Sequence, residues 1–143
     1  MTRELKKILY LEDDAHIAEI AMLAMSEFSD FEVVHFDCGA DAVENFQAVD
    51  PDLVLLDVMV PDMDGVETLA AIRLQTGGWE IPAVFMTAKA QLHEQKQYLE
   101  AGAISVIVKP FDAFSLAERL QNVWDDHFGV ASHPSEINAT ESA

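Results

Sequence analysis

The chain has 143 residues, 50% of them hydrophobic, which suits one domain with a sufficient core. With 26 acidic residues against 8 lysines and arginines and a formal net charge of -18, it offers no basic patch for a phosphate backbone, so direct nucleic-acid binding is not expected. The lone Cys38, the lack of a charged-then-apolar leader at Met1 and the absence of any apolar run near the roughly 20 residues of a membrane span predict a soluble, reducing, cytoplasmic setting with no membrane contact.

After Lys6 and Lys7, Ile8-Leu9-Tyr10-Leu11 predicts a buried first strand ending in Glu12-Asp13-Asp14. Helical spacing follows at Ile17, Ile20, Ala21, Ala24 and Phe28, with Asp14 as N-cap and with Met22, Leu23 and Met25 as further apolar surface. Phe31 to Phe36 predicts a second strand, and a helix from Gly39 is stopped near Val49 by Asp50-Pro51. Leu53 to Leu56, bounded by Pro51 and Pro61, reads as a third strand covered on both faces and ending at Asp57. Asp62 reads as a turn residue. Asp64-Gly65-Val66-Glu67 has capping-box spacing, so a third helix runs to about Thr76 and closes at Gly77-Gly78.

Pro82 to Met86 predicts a fourth strand, ending in Thr87-Ala88-Lys89. Gln91 to Ala101 is a polar helix anchored by Leu92 and Leu99, with Gly102 as its cap. Ile104 to Val108 is the fifth strand, ending at Lys109-Pro110-Phe111. A last helix runs from its cap Asp112 to about Phe128, with Phe114, Ala117, Leu120 and Trp124 at helical intervals and Gly129 as its stop. Residues 1–128 are expected to form the domain, and 129–143, without aromatic residues or periodicity, a disordered tail. Arg73, Lys89 and Lys96 read as solvated, Trp79 and Trp124 as packing residues. His16, His35, His93, His127 and His133 show no ligand spacing and fall away from the strand ends that gather the polar residues.

Five strands alternating with five helices, at spacings that need right-handed crossovers, give an α/β fold with a doubly wound parallel sheet. In such a sheet the carboxyl ends of the strands share one edge, where ligands sit. This sequence places Glu12, Asp13, Asp57, Thr87 and Lys109 at four of those ends. Crowded carboxylates repel unless a cation shares the site, and hard oxygen ligands without a His or Cys cluster point to Mg2+. A carboxylate beside Mg2+ can attack a phosphoryl group, with a lysine and a hydroxyl to neutralise the developing charge.

The set Glu12-Asp13-Asp14, Leu55-Leu56-Asp57-Val58-Met59-Val60-Pro61-Asp62-Met63-Asp64-Gly65, Met86-Thr87-Ala88-Lys89 and Val108-Lys109-Pro110-Phe111 resembles the receiver domain of two-component response regulators, over about residues 5 to 127. The resemblance implies a flavodoxin-like sheet in the order 2-1-3-4-5 and a phosphoacceptor role for Asp57, supplied by the phosphohistidine of a histidine kinase or histidine phosphotransfer protein. It implies Mg2+ held by Asp13, Asp57 and the Met59 carbonyl, with Glu12 acting mainly through water. Lys109 would pair with the phosphate and Thr87 would follow it, and a cis bond would join Lys109 to Pro110. The phosphorylated state would be read by a downstream protein at the face of helix four, strand five and helix five. The chain is expected to be a signalling module without a separate output domain and not a turnover enzyme.

One position departs from the family pattern: Val106 stands where a Tyr or Phe usually moves inward with the threonine. Thr87 and the segment Ala88 to Leu92 are then left to respond. Family members dock their phosphodonor on the first helix, so Met22, Leu23 and Met25 are open to two readings, an adaptable interface or core. Three functions compete with signalling by contact. A phosphate sink for a kinase uses the same chemistry. A haloacid-dehalogenase-like phosphatase would want a second aspartate where Met59 stands, and a nucleotide or flavin site would need a phosphate cradle where Glu12-Asp13-Asp14 repels one.

Overall fold

The apolar run after Pro51 becomes the centre of the sheet. In the computed structural model, which describes residues 4–89 and 91–129, the elements are β1 (Lys7–Leu11), α1 (Ala15–Phe28), β2 (Glu32–Phe36), α2 (Gly39–Val49), β3 (Leu53–Asp57), α3 (Gly65–Arg73), β4 (Ala83–Thr87), α4 (Leu92–Glu100), β5 (Ser105–Val108) and α5 (Leu116–His127). All neighbours pair in parallel in the order β2-β1-β3-β4-β5. This is the doubly wound α/β fold expected from the sequence.

Side-chain alternation along each strand divides the core. Ile8, Tyr10, Leu53, Leu55, Val84, Met86 and Ile107 face α1 and α5, where Met25, Leu120 and Trp124 cover them. Leu9, Leu11, Val54, Leu56 and Phe85 face the other way, onto Phe46 of α2 and Leu69 and Ile72 of α3. Every residue of β3 is buried. Each fully buried aliphatic side chain contributes roughly 1.5–3 kcal/mol, so β3 is a far more rigid mount than the partly exposed edge strand β2. The bond between Lys109 and Pro110 is cis.

Side-chain caps set the starts of α1 and α3. The Asp14 carboxylate accepts from the His16 and Ile17 amides, and Asp64 forms a capping box with Glu67. Asp50 ends α2 at a left-handed φ of 52°, and Asp62 holds its turn at φ 71°. Helix α3 ends at Arg73, short of Thr76, and α5 begins at Leu116, later than Asp112. Asp112 caps the preceding turn instead: its Oδ1 accepts from the Phe114 amide at 2.9 Å and its carbonyl from the Ser115 amide at 3.1 Å.

Several apolar residues do not pack as their spacing implies. Trp79 is 75% exposed, Leu92 84% and Phe114 79%, and Leu99 is exposed as well. Helix α4 buries no residue completely, because a helix this polar has no continuous apolar stripe. Its hold on the sheet is Tyr98, edge-on to Phe85 with ring centroids 5.7 Å apart. Phe114 leaves the α5 core face and meets Phe28 at 5.7 Å. Met25 is core, Met22 packs partly against it, and Leu23 is exposed.

Arg73 is not merely solvated. Its guanidinium donates to the carbonyls of Gly78, Trp79, Ile81 and Gly102, fastening the approach to β4 and the end of α4 to α3. Burial lowers its pKa. The tail beyond Gly129, and Ala90 in the segment after Thr87, lie outside the described residues.

Candidate functional site

Four strands deliver the polar residues to one edge. Glu12 follows β1 directly and is still tied to β2, its amide donating to the Phe36 carbonyl at 3.1 Å. Its side chain is buried: Oε1 accepts from Lys109 Nζ at 2.8 Å and Oε2 from the Asp14 amide at 3.1 Å. Asp57 closes β3 and is 2% exposed. Its Oδ2 accepts from Lys109 Nζ at 3.0 Å and its Oδ1 from the Met59 amide at 3.2 Å. One ammonium therefore bridges two buried carboxylates.

Asp57 is fixed from behind as well. The Val58 amide donates to Met86 on β4, and the Gly65 amide to the Val58 carbonyl. A Cβ at Gly65 would lie 2.5 Å from the Asp57 carbonyl oxygen, so α3 starts against the backbone of Asp57, which only glycine allows. Lys109 is placed by its amide, which donates to the Thr87 carbonyl at 2.8 Å. Thr87 is buried one residue beyond Met86, the register partner of Asp57. Its hydroxyl accepts from the Lys89 amide at 3.0 Å, and among the described residues no hydrogen bond joins it to Asp57. The Met59 side chain is exposed and takes no part in the cluster.

Carboxylate oxygens of Glu12, Asp13 and Asp57 all lie within 4.8 Å of one another. Such a set of hard oxygens, one of them exposed on Asp13, fits a hard divalent cation of the Mg2+ type. The electrostatics agree. Burial pushes the Glu12 carboxyl up to about 7, with Asp57 adding to the rise and Lys109 opposing it. Lys109 is depressed by burial but held above its ordinary value by Glu12 and Asp57.

The folded pKa of Glu12 exceeds its ordinary value of 4.5. Between the two values the metal-free fold therefore binds more protons than the unfolded chain, and loses stability as pH rises through that window. A cation must displace that proton. Apparent Mg2+ affinity is accordingly expected to fall as pH drops below about 7, with proton release on binding visible by calorimetry in buffers of different ionisation enthalpy. Affinity unchanged between about pH 6 and pH 8 would contradict this assignment.

Two residues at the site's edge escaped the sequence reading. His35 does not fall away from the strand ends: its Nε2 lies 2.8 Å from the Glu12 carbonyl oxygen. Its ring sits against Tyr10, with centroids 5.6 Å apart. Burial foremost, and then Glu12, drives the Tyr10 hydroxyl far above its ordinary pKa. The only sequence signal for the pair is the β1–β2 register, which sets Tyr10 opposite His35. Next to Lys109, Ile17, Ile20, Ala88, Pro110 and Phe111 line an apolar cavity of about 480 Å³. Among the described residues no helix is long and apolar enough to cross a membrane.

The comparisons with known proteins agree with this geometry. Residues 8–121 match the family described as the response regulator receiver domain. The chain is 38% identical over 136 residues to the transcriptional regulatory protein CseB of Streptomyces avermitilis, covering 95% of this chain and 56% of that protein. It is 33% identical to the DNA-binding response regulator MtrA of Mycobacterium tuberculosis, covering 81% of this chain and 49% of MtrA. The chain thus spans about half the length of the curated relatives it matches. Among solved structures, the chemotaxis response regulator CheY4 of Vibrio cholerae superposes with a TM-score of 0.77 at 26% identity, covering 84% of this chain and 99% of that one. A CheY-like receiver domain protein from Methanospirillum hungatei gives 0.73 at 28%, covering 88% and 98%. With a family match over most of its length and a sheet of the same topology, the chain belongs to the receiver-domain family of two-component response regulators.

Proposed function

We propose that residues 1–128 form a phosphoacceptor unit in which Asp57 takes a phosphoryl group from a partner's phosphohistidine. The observation that carries this is the position of Lys109 Nζ, 3.0 Å from Asp57 Oδ2 and 2.8 Å from Glu12 Oε1, at the buried end of a fully buried strand. An Asp57 oxygen attacks phosphorus, the phosphorus–nitrogen bond breaks, and the imidazole leaves with the bonding pair and takes a proton. Asp13, Asp57 and the Met59 carbonyl would hold Mg2+ directly, with Glu12 acting mainly through water, and the ion would supply charge neutralisation on the phosphoryl oxygens. Lys109 contributes the second positive charge, and Thr87 a hydroxyl on the neighbouring strand. The apolar cavity beside Lys109 supports docking of the donor, a histidine kinase or histidine phosphotransfer protein.

The product is a covalent state of the chain itself, so the role is signalling and not turnover. Readout belongs to the α4, β5 and α5 face. On it Val106 is buried opposite Phe85, and Arg119 of α5 donates to its carbonyl at 3.1 Å. Use as a relay intermediate or phosphate sink employs the same site. The phosphatase reading is disfavoured, because the exposed thioether of Met59 cannot donate a proton to a leaving group.

Intact-mass spectrometry with a small phosphodonor tests the reading. One phosphoryl group should be gained with Mg2+, lost with chelator, and removed by hydroxylamine as expected of an acyl phosphate. No mass gain, or a gain indifferent to Mg2+, overturns it.

A further inference from the structure

We propose that His35 is a positioning residue for the cation site, acting through the Glu12 carbonyl to hold the Glu12-Asp13 peptide; the inference rests on the Mg2+ reading above. The β1–β2 ladder explains why such a residue is needed. Its rungs run from the Glu32 amide on the Lys6 carbonyl to the Glu12 amide on the Phe36 carbonyl. Continuing that pattern, the Glu12 carbonyl would accept from the amide of residue 38. The chain has turned away by then: Cys38 is the N-cap of α2, which starts at Gly39.

His35 takes over the missing rung. It faces Tyr10 in the register, so its side chain stands on the same side of the sheet and reaches along the strand, placing Nε2 2.8 Å from the Glu12 oxygen. A carbonyl only accepts, so Nε2 carries the proton and the tautomer follows from the chemistry. The ring is confined by Tyr10 on one side, at 44° between planes, and borders a groove with Ala15, Ala18 and Met22 of α1.

The consequence passes to the acids through covalent geometry. The Glu12 carbonyl belongs to the peptide plane that ends at the Asp13 Cα. Anchoring that oxygen fixes the direction in which Asp13, the exposed carboxylate of the cluster, leaves β1. Without the anchor the plane between Glu12 and Asp13 loses its own hydrogen bond to β2 and is held only by its flanking residues, through the Glu12 amide on Phe36 and the Asp14 cap. Glu12 would remain tethered to Lys109, while among the described residues no comparable bond holds the Asp13 side chain.

The test compares His35→Gln, which keeps an N–H donor, with His35→Leu, which keeps bulk and removes the donor. Mg2+ affinity is read by calorimetry, phosphoryl uptake as a function of Mg2+, and the metal-free melting temperature as a fold control. His35→Leu is expected to weaken Mg2+ binding about 10-fold, the low end for groups acting behind a ligand because the contact is to backbone. Uptake should recover at saturating Mg2+, and His35→Gln should stay within about twofold of wild type. A His35→Leu protein with wild-type affinity, or a His35→Gln protein as weak as His35→Leu, overturns the proposal even if both melt lower. Should His35→Leu fail to fold, His35→Met makes the donorless comparison. Failure of the wild type to bind Mg2+ would instead overturn the reading of the site itself.

Discussion

Asparagine at position 57 is expected to abolish phosphoryl uptake completely while leaving the fold intact. The amide is nearly isosteric with the carboxylate and keeps an oxygen for the Met59 amide now 3.2 Å from Oδ1. It has neither the negative charge nor the nucleophilic oxygen pair needed to form an acyl phosphate. Stability should change little, because two effects oppose. Lys109 loses one of its two anionic partners. Glu12 loses the carboxylate that helps to push up its pKa. Intact-mass spectra of both proteins, taken after the same exposure to phosphodonor and Mg2+, provide the measurement. A variant that gains as much mass as wild type would place the acceptor elsewhere.

Lys109→Met should produce the second large effect, and its sign depends on the metal. The lysine is the shared cation of Glu12 and Asp57, whose side chains are 1% and 3% exposed. Removing one partner of a buried ion pair costs roughly 3–5 kcal/mol, because the remaining charge has neither water nor partner. Here the loss should be nearer about 3 kcal/mol, since Glu12 already titrates near neutrality and can take a proton. A divalent cation replaces the missing charge. The variant should therefore melt well below wild type in chelator and recover much of the difference in millimolar Mg2+, whereas wild type responds less. It should also take up phosphate slowly at any Mg2+ concentration. Equal melting temperatures in chelator would remove Lys109 from the electrostatic balance of the site.

The parts of the fold that were legible in the sequence share a physical property: local residues suffice to specify them. Leu53 to Leu56 between two prolines announces a strand covered on both faces, and Asp64 with Glu67 announces a capped helix; both appear as expected. The convergence of Glu12, Asp13, Asp57 and Lys109 was legible because parallel topology sends strand ends to one edge. What escaped depends on contacts distant in the chain. His35 bonds Glu12 across 23 positions, and Arg73 reaches Gly102 across 29. No short pattern encodes either contact. Leu92, Leu99 and Phe114 failed in the opposite direction, since helical spacing says which side chains share a face and not whether anything covers it. Asp112 was recognised as a cap, but a turn intervenes between it and α5.

Helix α4 carries an energetic consequence. A segment with no fully buried side chain, packed through Tyr98 edge-on to Phe85 and fastened at its end by Arg73, is expected toward the lower end of the molecule's local stabilities, where opening needs less than global unfolding. Inverting a two-state population from about one in a hundred to its reverse takes about 5.5 kcal/mol of differential binding. A helix with no fully buried side chain is expected to need less than that to shift, so the proposed signal at the end of β4 can be small. On the proposed signalling role, sensitivity on this face would depend less on the strength of any switch residue than on how little α4 has to give up.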